Sequence, residues 1–392
     1  MSYKITSTIF MLYLFFGVYF FSYIGEYTLF KYIVLIIFQL FLLKNYRSKK
    51  ETKITHGLSI IIFGIIFILI LSLIINFNFS GFFKTISVID LFIFTFILFL
   101  SNSRITDSIN NEKLMLIITN TLFLTLIFAF LTQFDDVVST FGRNTIVAFR
   151  HQFGMGAASI VGFLCFIEFV FSYYLLLYGK VNKSDRLFCV GKIIISILMI
   201  NYADIKSAMI SALFFILLSF ISKLPKVKNA KIIKILSFFL FSIFLILFLY
   251  NASLDMDRLN FIFSQRFVYY KIAFMEVINT NLVFGVGSFR NSDVDLLNMV
   301  QVDNSFLDIF YQYGLICALL FISLILFLFK CIIKINTINS IYDKNYIEFI
   351  KAYFLSVILY SMAEKNLFSL TSALGLVTFI FIFRFIYLAN RS

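Results

Sequence analysis

Long apolar runs alternate with short polar connections along the chain, and the runs predict about twelve membrane-spanning helices. Each run is continuous instead of alternating between apolar and polar residues, which favours helices over the strands of a membrane barrel. Several runs are shorter than the ~20 residues that a bilayer requires, so we expect the helix ends to differ from the run ends by a few residues. The runs span residues 5–24, 29–43, 57–75, 86–100, 114–131, 154–178, 193–204, 206–222, 235–250, 305–329, 350–362 and 368–388. The pattern predicts an all-α polytopic membrane protein.

The composition supports this interpretation. Of the 392 residues, 61% are hydrophobic and only 14% are charged, and the mean hydropathy is +0.98. A soluble domain is about half apolar and a quarter charged. No repeat of 20–50 residues is visible, so we expect residues 1–392 to form a single transmembrane domain. The first apolar run has no small-residue cleavage site after it, which favours a retained helix over a signal peptide.

Basic residues cluster in four connections, and all four lie on one side of the membrane if both termini are cytoplasmic. These connections are residues 44–53, 180–192, 223–234 and 330–351. The net charge of +13 is then explained by signals for membrane orientation, and it does not indicate a nucleic-acid partner. Most acidic residues lie on the opposite, outer side.

The longest polar connection, residues 251–304, lies outside on this topology. Apolar residues recur in it at helical spacing, namely Phe263, Phe267, Tyr270, Phe274 and Val277. This stripe predicts an amphipathic helix along the membrane surface, before the tenth span. The connection is the main extracytoplasmic loop of the predicted protein.

A few basic residues on the predicted outer side are exceptions to the positive-inside rule. They are Arg143, Arg150, Lys206, Arg266 and Arg290. Arginine suits phosphate recognition because its planar fork donates two parallel hydrogen bonds. We therefore expect these side chains to converge on one pyrophosphate group. For each of them the alternative is contact with lipid headgroups or pairing with a nearby carboxylate.

Asp303 and Asn304 stand at the start of the tenth span, and Asp308 follows one turn later on the face of Asn304. Asp and Asn are preferred helix caps, so one interpretation is capping of this span. The other is a site role, in which a carboxylate acts as general base beside a membrane-embedded substrate. Glu168 and Asp90 lie within apolar runs and either form a proton or ion path or pair structurally. No cluster has metal-ligand spacing, so we expect no metal and no cofactor.

Four segments carry a family resemblance. They are RHQFGMGAASIVG (150–162), NYADIKSAMISAL with Lys206 and Ser207, SQRFVYYKIAFMEVINTNLVFGVG ending at Gly285 and Gly287, and VDNSFLDIFYQYGLI with Asn304, Leu307 and Gly314. In this order they resemble segments of the O-antigen and capsular polysaccharide polymerases (Wzy) and the related O-antigen ligases. The resemblance covers residues 150–315 by motif and the rest by topology.

The resemblance implies an enzyme of the bacterial cytoplasmic membrane that polymerises surface polysaccharide. A hydroxyl group of one lipid-linked repeat unit attacks the anomeric carbon of another, and undecaprenyl pyrophosphate leaves. Arg150, Lys206 and Arg266 would hold the pyrophosphate charge, with Arg143, Arg290 and Asn304 as further binding residues and Asp303 as general base. Membrane lipid, a flippase and chain-length regulator proteins are the partners that the resemblance implies.

Two departures from the family pattern matter. Lys206 stands where Arg is more common, which replaces a forked phosphate contact by a point charge. Asp303 stands where ligases usually have His, which favours a polymerase over a ligase. The alternatives are an O-antigen-type ligase and a flippase or other transporter for lipid-linked oligosaccharide. A transporter is expected to place polar residues at mid-membrane, often on interrupted helices.

Overall fold

The computed structural model of the chain describes residues 36–37, 40, 53–77, 79–95, 111–132, 158–202, 205–223, 266–287, 304–334, 344–364 and 373–389. Ten helices and no strand are found in these ranges. They are α1 (Lys53–Ile75), α2 (Phe79–Thr95), α3 (Asn111–Thr132), α4 (Ala158–Tyr178), α5 (Lys183–Tyr202), α6 (Lys206–Lys223), α7 (Arg266–Thr280), α8 (Ser305–Lys334), α9 (Lys344–Ala363) and α10 (Ala373–Ala389).

Five of the described helices, α1, α3, α4, α8 and α9, are long and apolar enough to cross a membrane. Shorter apolar stretches lie in α6 and α10. The expected helical membrane protein is thereby confirmed at this level, while the number of twelve spans stays a prediction. The predicted spans 5–24 and 235–250 lie outside the described residues, as does 29–43 except for residues 36, 37 and 40, which are helical.

Helix α4 lies at the centre of the bundle. All its residues from 161 to 172 are buried, and it packs against α3, α5, α6, α9 and α10. A helix that is apolar on every side is expected in the core and not at a surface. Aromatic rings supply much of the packing, since the ring of Phe171 lies 4.6 Å from that of Phe381, and the ring of Tyr174 lies 4.5 Å from that of Phe349.

Helix α5 begins well before the predicted span 193–204, and the placement of Lys192 in a cytoplasmic connection is wrong. Lys192 lies inside α5 and is 1% exposed. Its ammonium group lies 3.8 Å from Glu168 Oε1 on α4 and donates hydrogen bonds to Thr119 and Asn120 on α3. These partners compensate the charge, so a lysine that resembles an orientation signal is retained inside the bundle.

Helix α8 is interrupted, although its sequence predicts one continuous span over 305–329. Gly314 has φ 81° and ψ −177°, which are not helical values. The break leaves carbonyl groups of the first half without helical partners, and the segment that follows α7 supplies them. The backbone N–H of Val286 donates to Tyr311 O at 2.8 Å, and that of Gly287 donates to Gln312 O at 3.0 Å. Irregular backbone at membrane depth is tolerated where other protein groups satisfy it in this way.

Glycine is required on both sides of this contact. Gly285 also has a positive φ, of 74°, and a Cβ added there would lie 2.6 Å from backbone atoms of Gln312 and Gly314. A Cβ added at Gly314 would overlap the carbonyl oxygen of Val283. The Gly-x-Gly segment and the break in α8 are therefore two halves of one backbone junction, in which neither half has room for a side chain.

Candidate active site

Three helix ends meet at Glu364, which directly follows α9. The hydroxyl of Ser207, in the first turn of α6, donates to Glu364 Oε1 at 2.9 Å. The hydroxyl of Ser305, at the start of α8, donates to the backbone carbonyl of Glu364 at 2.7 Å. We call Lys206, Ser207, Asn304, Ser305 and Glu364 the Glu364 cluster. It brings together two of the segments that carry the family resemblance.

The Glu364 carboxyl group is buried, since the residue is only 3% exposed. A buried carboxylate needs hydrogen-bond donors or positive charge, and Ser207 supplies one donor. Helices α6 and α8 both begin at the cluster, so the positive ends of two helix dipoles add to the favourable potential.

Asn304 caps α8. Its side-chain oxygen accepts hydrogen bonds from the backbone N–H groups of Phe306 at 2.9 Å and Leu307 at 3.0 Å. Its side-chain nitrogen donates to the backbone carbonyl of Met362 at 2.8 Å. The capping interpretation of Asn304 is therefore observed, and the amide also ties the start of α8 to the end of α9.

Removal of this amide is expected to destabilise the junction of α8 and α9. Asn304→Ala loses the cap and the contact with Met362, and should lower the free energy of unfolding by about 1–2 kcal/mol. Asn304→Asp retains a capping oxygen and loses only the donor to Met362, so it should cost less. Circular dichroism during thermal unfolding compares the variants. Equal stability of Asn304→Ala and the native protein would contradict the cap.

Lys206 lies at the accessible edge of the Glu364 cluster. It is the first residue of α6, it is exposed, and it directly precedes Ser207. Its neighbour Ile205 is buried against Gly162 of α4, where an added Cβ would lie 2.6 Å from the Ile205 side chain. The segment 150–162 therefore also reaches the cluster, because its last glycine packs under the start of α6.

Helix α7 docks on the first half of α8. The hydroxyl of Tyr311 donates to Glu276 Oε2 at 2.9 Å, and the ring of Phe274 stacks on that of Phe310 with 5.5 Å between centroids. With the backbone junction at Gly314, these contacts connect the third family-like segment to the fourth. The described parts of all four segments are thus connected, the second and the fourth through Glu364 and the others by direct contacts.

Among the described side chains of α7, two are buried against the protein, and one of them belongs to the predicted stripe. Ala273 and Val277 are fully buried, whereas Phe274 is 48% exposed. Met275 and Ile278 are exposed as well, so apolar side chains remain uncovered on this helix. Of the predicted stripe, Val277 is buried and Phe274 is exposed, and the location of the helix along the membrane surface stays a prediction. Side chains of residues 266–269 are outside the described set.

The remaining predicted site residues are not placed by the structure. Arg143, Arg150, Arg290 and Asp303 lie outside the described residues, and only the backbone of Arg266 is described. The convergence of the arginines on one pyrophosphate and the role of Asp303 as base stay predictions. Lys206 and Asn304 are the two predicted site residues that the structure does bring together.

Glu364 is a candidate that sequence analysis missed. The topology predicted from the sequence counts it among several outer acidic residues, and it stands at the end of an apolar run. Its importance arises from the hydrogen bonds of Ser207 and Ser305, which come from distant parts of the chain. A carboxylate directly after a span is the available sequence signal, and it is too common to single out one residue.

A cavity of about 200 Å³ lies away from the cluster, at the opposite ends of α6 and α9. Tyr178, Ser219 and Lys344 contribute to its lining, but no predicted site residue does. We place the candidate site at the Glu364 cluster, where the family-like segments meet. Within the described ranges no group of His, Cys, Asp and Glu side chains is arranged to hold a metal ion.

Comparison with known proteins adds no relative. The chain matches no protein-family model, and no curated protein matches its sequence. Any function is therefore argued from the residues, from their contacts and from the resemblance of the four segments.

Proposed function

We propose that this protein is a polymerase of surface polysaccharide that joins lipid-linked repeat units at the outer face of the bacterial cytoplasmic membrane. The observation that supports it is that the described parts of all four family-like segments are connected in space, the second and the fourth through Glu364, although the segments are spread over residues 150–315 of the chain. Each motif match is weak evidence for a function, and the four matches support the proposal more strongly together because the fold connects them.

The contacts run in an unbroken series. Gly162 of the first segment packs on Ile205 of the second. Ser207 of the second and Ser305 of the fourth share Glu364. The third segment meets the fourth through the Gly314 junction and the α7–α8 contacts described above. A substrate held at this end of the bundle would be within reach of each segment.

The chemistry is a substitution at a sugar carbon. The acceptor hydroxyl oxygen forms a bond to the anomeric carbon of the donor glycan, and the bond from that carbon to the pyrophosphate oxygen breaks. Undecaprenyl pyrophosphate leaves with the bonding electrons, and the hydroxyl proton passes to Asp303. Pyrophosphate is a good leaving group, so its departure depends on stabilisation of its negative charge more than on protonation by an acid. The positive side chains of Lys206, Arg150 and Arg266 supply this stabilisation. Arg143 and Arg290 complete the binding of the lipid pyrophosphate.

The Glu364 cluster has a positioning role in this scheme. The hydrogen bond from Ser207 to Glu364 fixes the first turn of α6, and Lys206 begins that turn. Ser305 and Asn304 fix the start of α8 against the same end of α9. The starts of α6 and α8, with Lys206 and Asn304, are thereby held together, and transfer of the glycan requires binding groups in fixed positions.

Loss of the cationic side chains tests the proposal. In cells that depend on this protein for polymer, Lys206→Met and Arg266→Ala should each reduce long polymer on the order of 10²-fold. Single lipid-linked repeat units should accumulate. Lys206→Arg should retain activity, since arginine keeps the positive charge and adds a planar guanidinium group that can donate two parallel hydrogen bonds to phosphate. Lys271→Met, which removes an exposed cation of α7, is the matched control and should leave polymer unchanged. Normal polymer in both Lys206→Met and Arg266→Ala would contradict the proposal.

Two observations favour transport of lipid-linked oligosaccharide as a second candidate function. Helix α8 is interrupted at Gly314, and the charged pair Glu168–Lys192 is buried inside the bundle. Transporters often use interrupted helices and polar groups at mid-membrane depth. The location of the accumulated intermediate separates the two functions. A polymerase defect leaves single units on the outer face, whereas a transport defect leaves them on the cytoplasmic face.

A further inference from the structure

The buried pair Glu168–Lys192 lies apart from the Glu364 cluster, near the middle of α4 and α5. Both residues are buried, and 3.8 Å separates Lys192 Nζ from Glu168 Oε1. Ionisable residues inside a membrane bundle are costly, and they usually mark a path or a binding site. The mechanism proposed for the outer cluster makes no use of this pair.

Lys192 is well satisfied without Glu168. Its ammonium group donates to Asn120 Oδ1 at 2.6 Å and to Thr119 Oγ1 at 3.0 Å. It also lies over two aromatic faces, 4.9 Å from the ring of Phe188 and 5.9 Å from that of Phe123. Hydrogen bonds and cation–π contacts of this kind stabilise a desolvated ammonium group.

Glu168 is poorly satisfied by comparison. Within the described residues neither of its carboxylate oxygens has a hydrogen-bond partner. Its contact with Lys192 is a charge contact at 3.8 Å, longer than a hydrogen bond. A carboxylate has about four acceptor positions, and leaving them unused in a buried place is unfavourable. The pair is therefore asymmetric, with a fixed cation and a weakly held carboxylate.

Two buried serine hydroxyl groups lie one helical turn from the pair, one on each side of it along the helix axes. Ser172 follows Glu168 by one turn of α4, toward the connection between α4 and α5. Ser196 follows Lys192 by one turn of α5, away from that connection. Within the described part of the chain neither hydroxyl has a hydrogen-bond partner. A hydroxyl both donates and accepts, so it can pass a hydrogen bond between water and a carboxyl group.

We propose that Glu168 is a proton-binding site inside the membrane domain, which exchanges its proton with water by way of Ser172 and Ser196. A hydronium ion gives up a proton, an O–H bond forms on a Glu168 oxygen, and a water molecule remains. Release is the reverse step, to water on either side. Lys192 keeps its charge throughout because Asn120 and Thr119 hold it. The inference rests on Glu168, Lys192 and the groups around this pair, and not on the chemistry at Glu364.

Infrared spectroscopy of the purified full-length protein in lipid nanodiscs tests this site. The native protein is expected to show the carbonyl band of a protonated carboxyl group, and the band should shift when H₂O is replaced by D₂O. Glu168→Gln should abolish the band. Glu364→Gln, which changes another buried carboxyl group, should leave it in place. Absence of the band from the native protein, or its persistence in Glu168→Gln, would overturn the inference.

Two further variants test the site with Glu168 itself unchanged. Lys192→Met should strengthen the band, because a carboxyl group without its counter-charge holds its proton to a higher pH. Ser172→Ala should leave the intensity unchanged and slow the shift in D₂O. A band that never shifts in D₂O, or that shifts as fast in both Ser172→Ala and Ser196→Ala as in the native protein, would contradict exchange through the serines and indicate a static pair.

Discussion

Gly314→Ala is expected to disrupt the junction between α8 and the Gly-x-Gly segment. The backbone of Gly314 lies in a region of positive φ and extended ψ that other residues hardly occupy, which costs about 1–3 kcal/mol. The added Cβ would also overlap the carbonyl oxygen of Val283. We expect the free energy of unfolding to fall by about 3 kcal/mol or more. Polymer should be lost with it, because the third family-like segment no longer docks on the fourth.

Gly191→Ala is the matched control for this substitution. Gly191 lies inside α5, and nothing lies within 4 Å of the Cβ that alanine adds. Alanine is favoured over glycine in a helix interior by roughly 0.5–1 kcal/mol, so this variant should be as stable as the native protein or more so. Circular dichroism during thermal unfolding in detergent suits a chain without tryptophan. A Gly314→Ala variant that unfolds like Gly191→Ala would show that the interruption of α8 is not required.

Lys192→Met is expected to have the second large effect. At a pH at which Glu168 is ionised, the substitution leaves its carboxylate buried without a counter-charge, and breaking a buried pair from one side costs about 3–5 kcal/mol. The double variant Glu168→Gln/Lys192→Met removes both charges and should recover most of this loss. Thermal unfolding of the single and double variants measures the difference.

An exposed pair provides the comparison. Lys351 lies 3.5 Å from Glu348 on α9, and both side chains are partly exposed. Lys351→Met should therefore cost less than about 1 kcal/mol. A Lys192→Met variant no less stable than Lys351→Met would contradict the account of the buried pair, as would a double variant that recovers nothing.

The membrane helices are predictable because each depends mainly on local composition. Continuous apolar runs predicted α1, α3 and α4 with ends that agree to within a few residues. Helix α5 fails this local rule, since Lys192 looks like part of a basic connection. What places Lys192 inside the bundle is the pair of acceptors on α3 together with the carboxylate of Glu168 on α4, which no local pattern shows.

The interruption of α8 was not predictable for a similar reason. Glycine is common in membrane helices, so Gly314 within an apolar run carries no signal of a break. Its conformation depends on Val283 and Gly285, about thirty residues earlier in the chain. The family resemblance did single out Gly285, Gly287 and Gly314, but as separate positions. Their backbone contact is the information that the fold adds.

The candidate site was predicted in part. Outer cations against the positive-inside rule pointed to Lys206, and the polar start of a span pointed to Asn304. Both lie in the Glu364 cluster. The carboxylate at its centre could not be chosen from the sequence, because the predicted topology places many acidic residues on the same side. Selection of Glu364 required the two serine hydroxyls that reach it from α6 and α8.

Glycan joining by the purified protein is the most direct test of the central claim. The protein in liposomes is supplied with undecaprenyl-pyrophosphate-linked repeat units of the host. We expect lipid-linked products of two and more repeat units, with one undecaprenyl pyrophosphate released for each new bond. Units that cross the bilayer without joining, or glycan transferred only to an acceptor other than a lipid-linked unit, would contradict a polymerase.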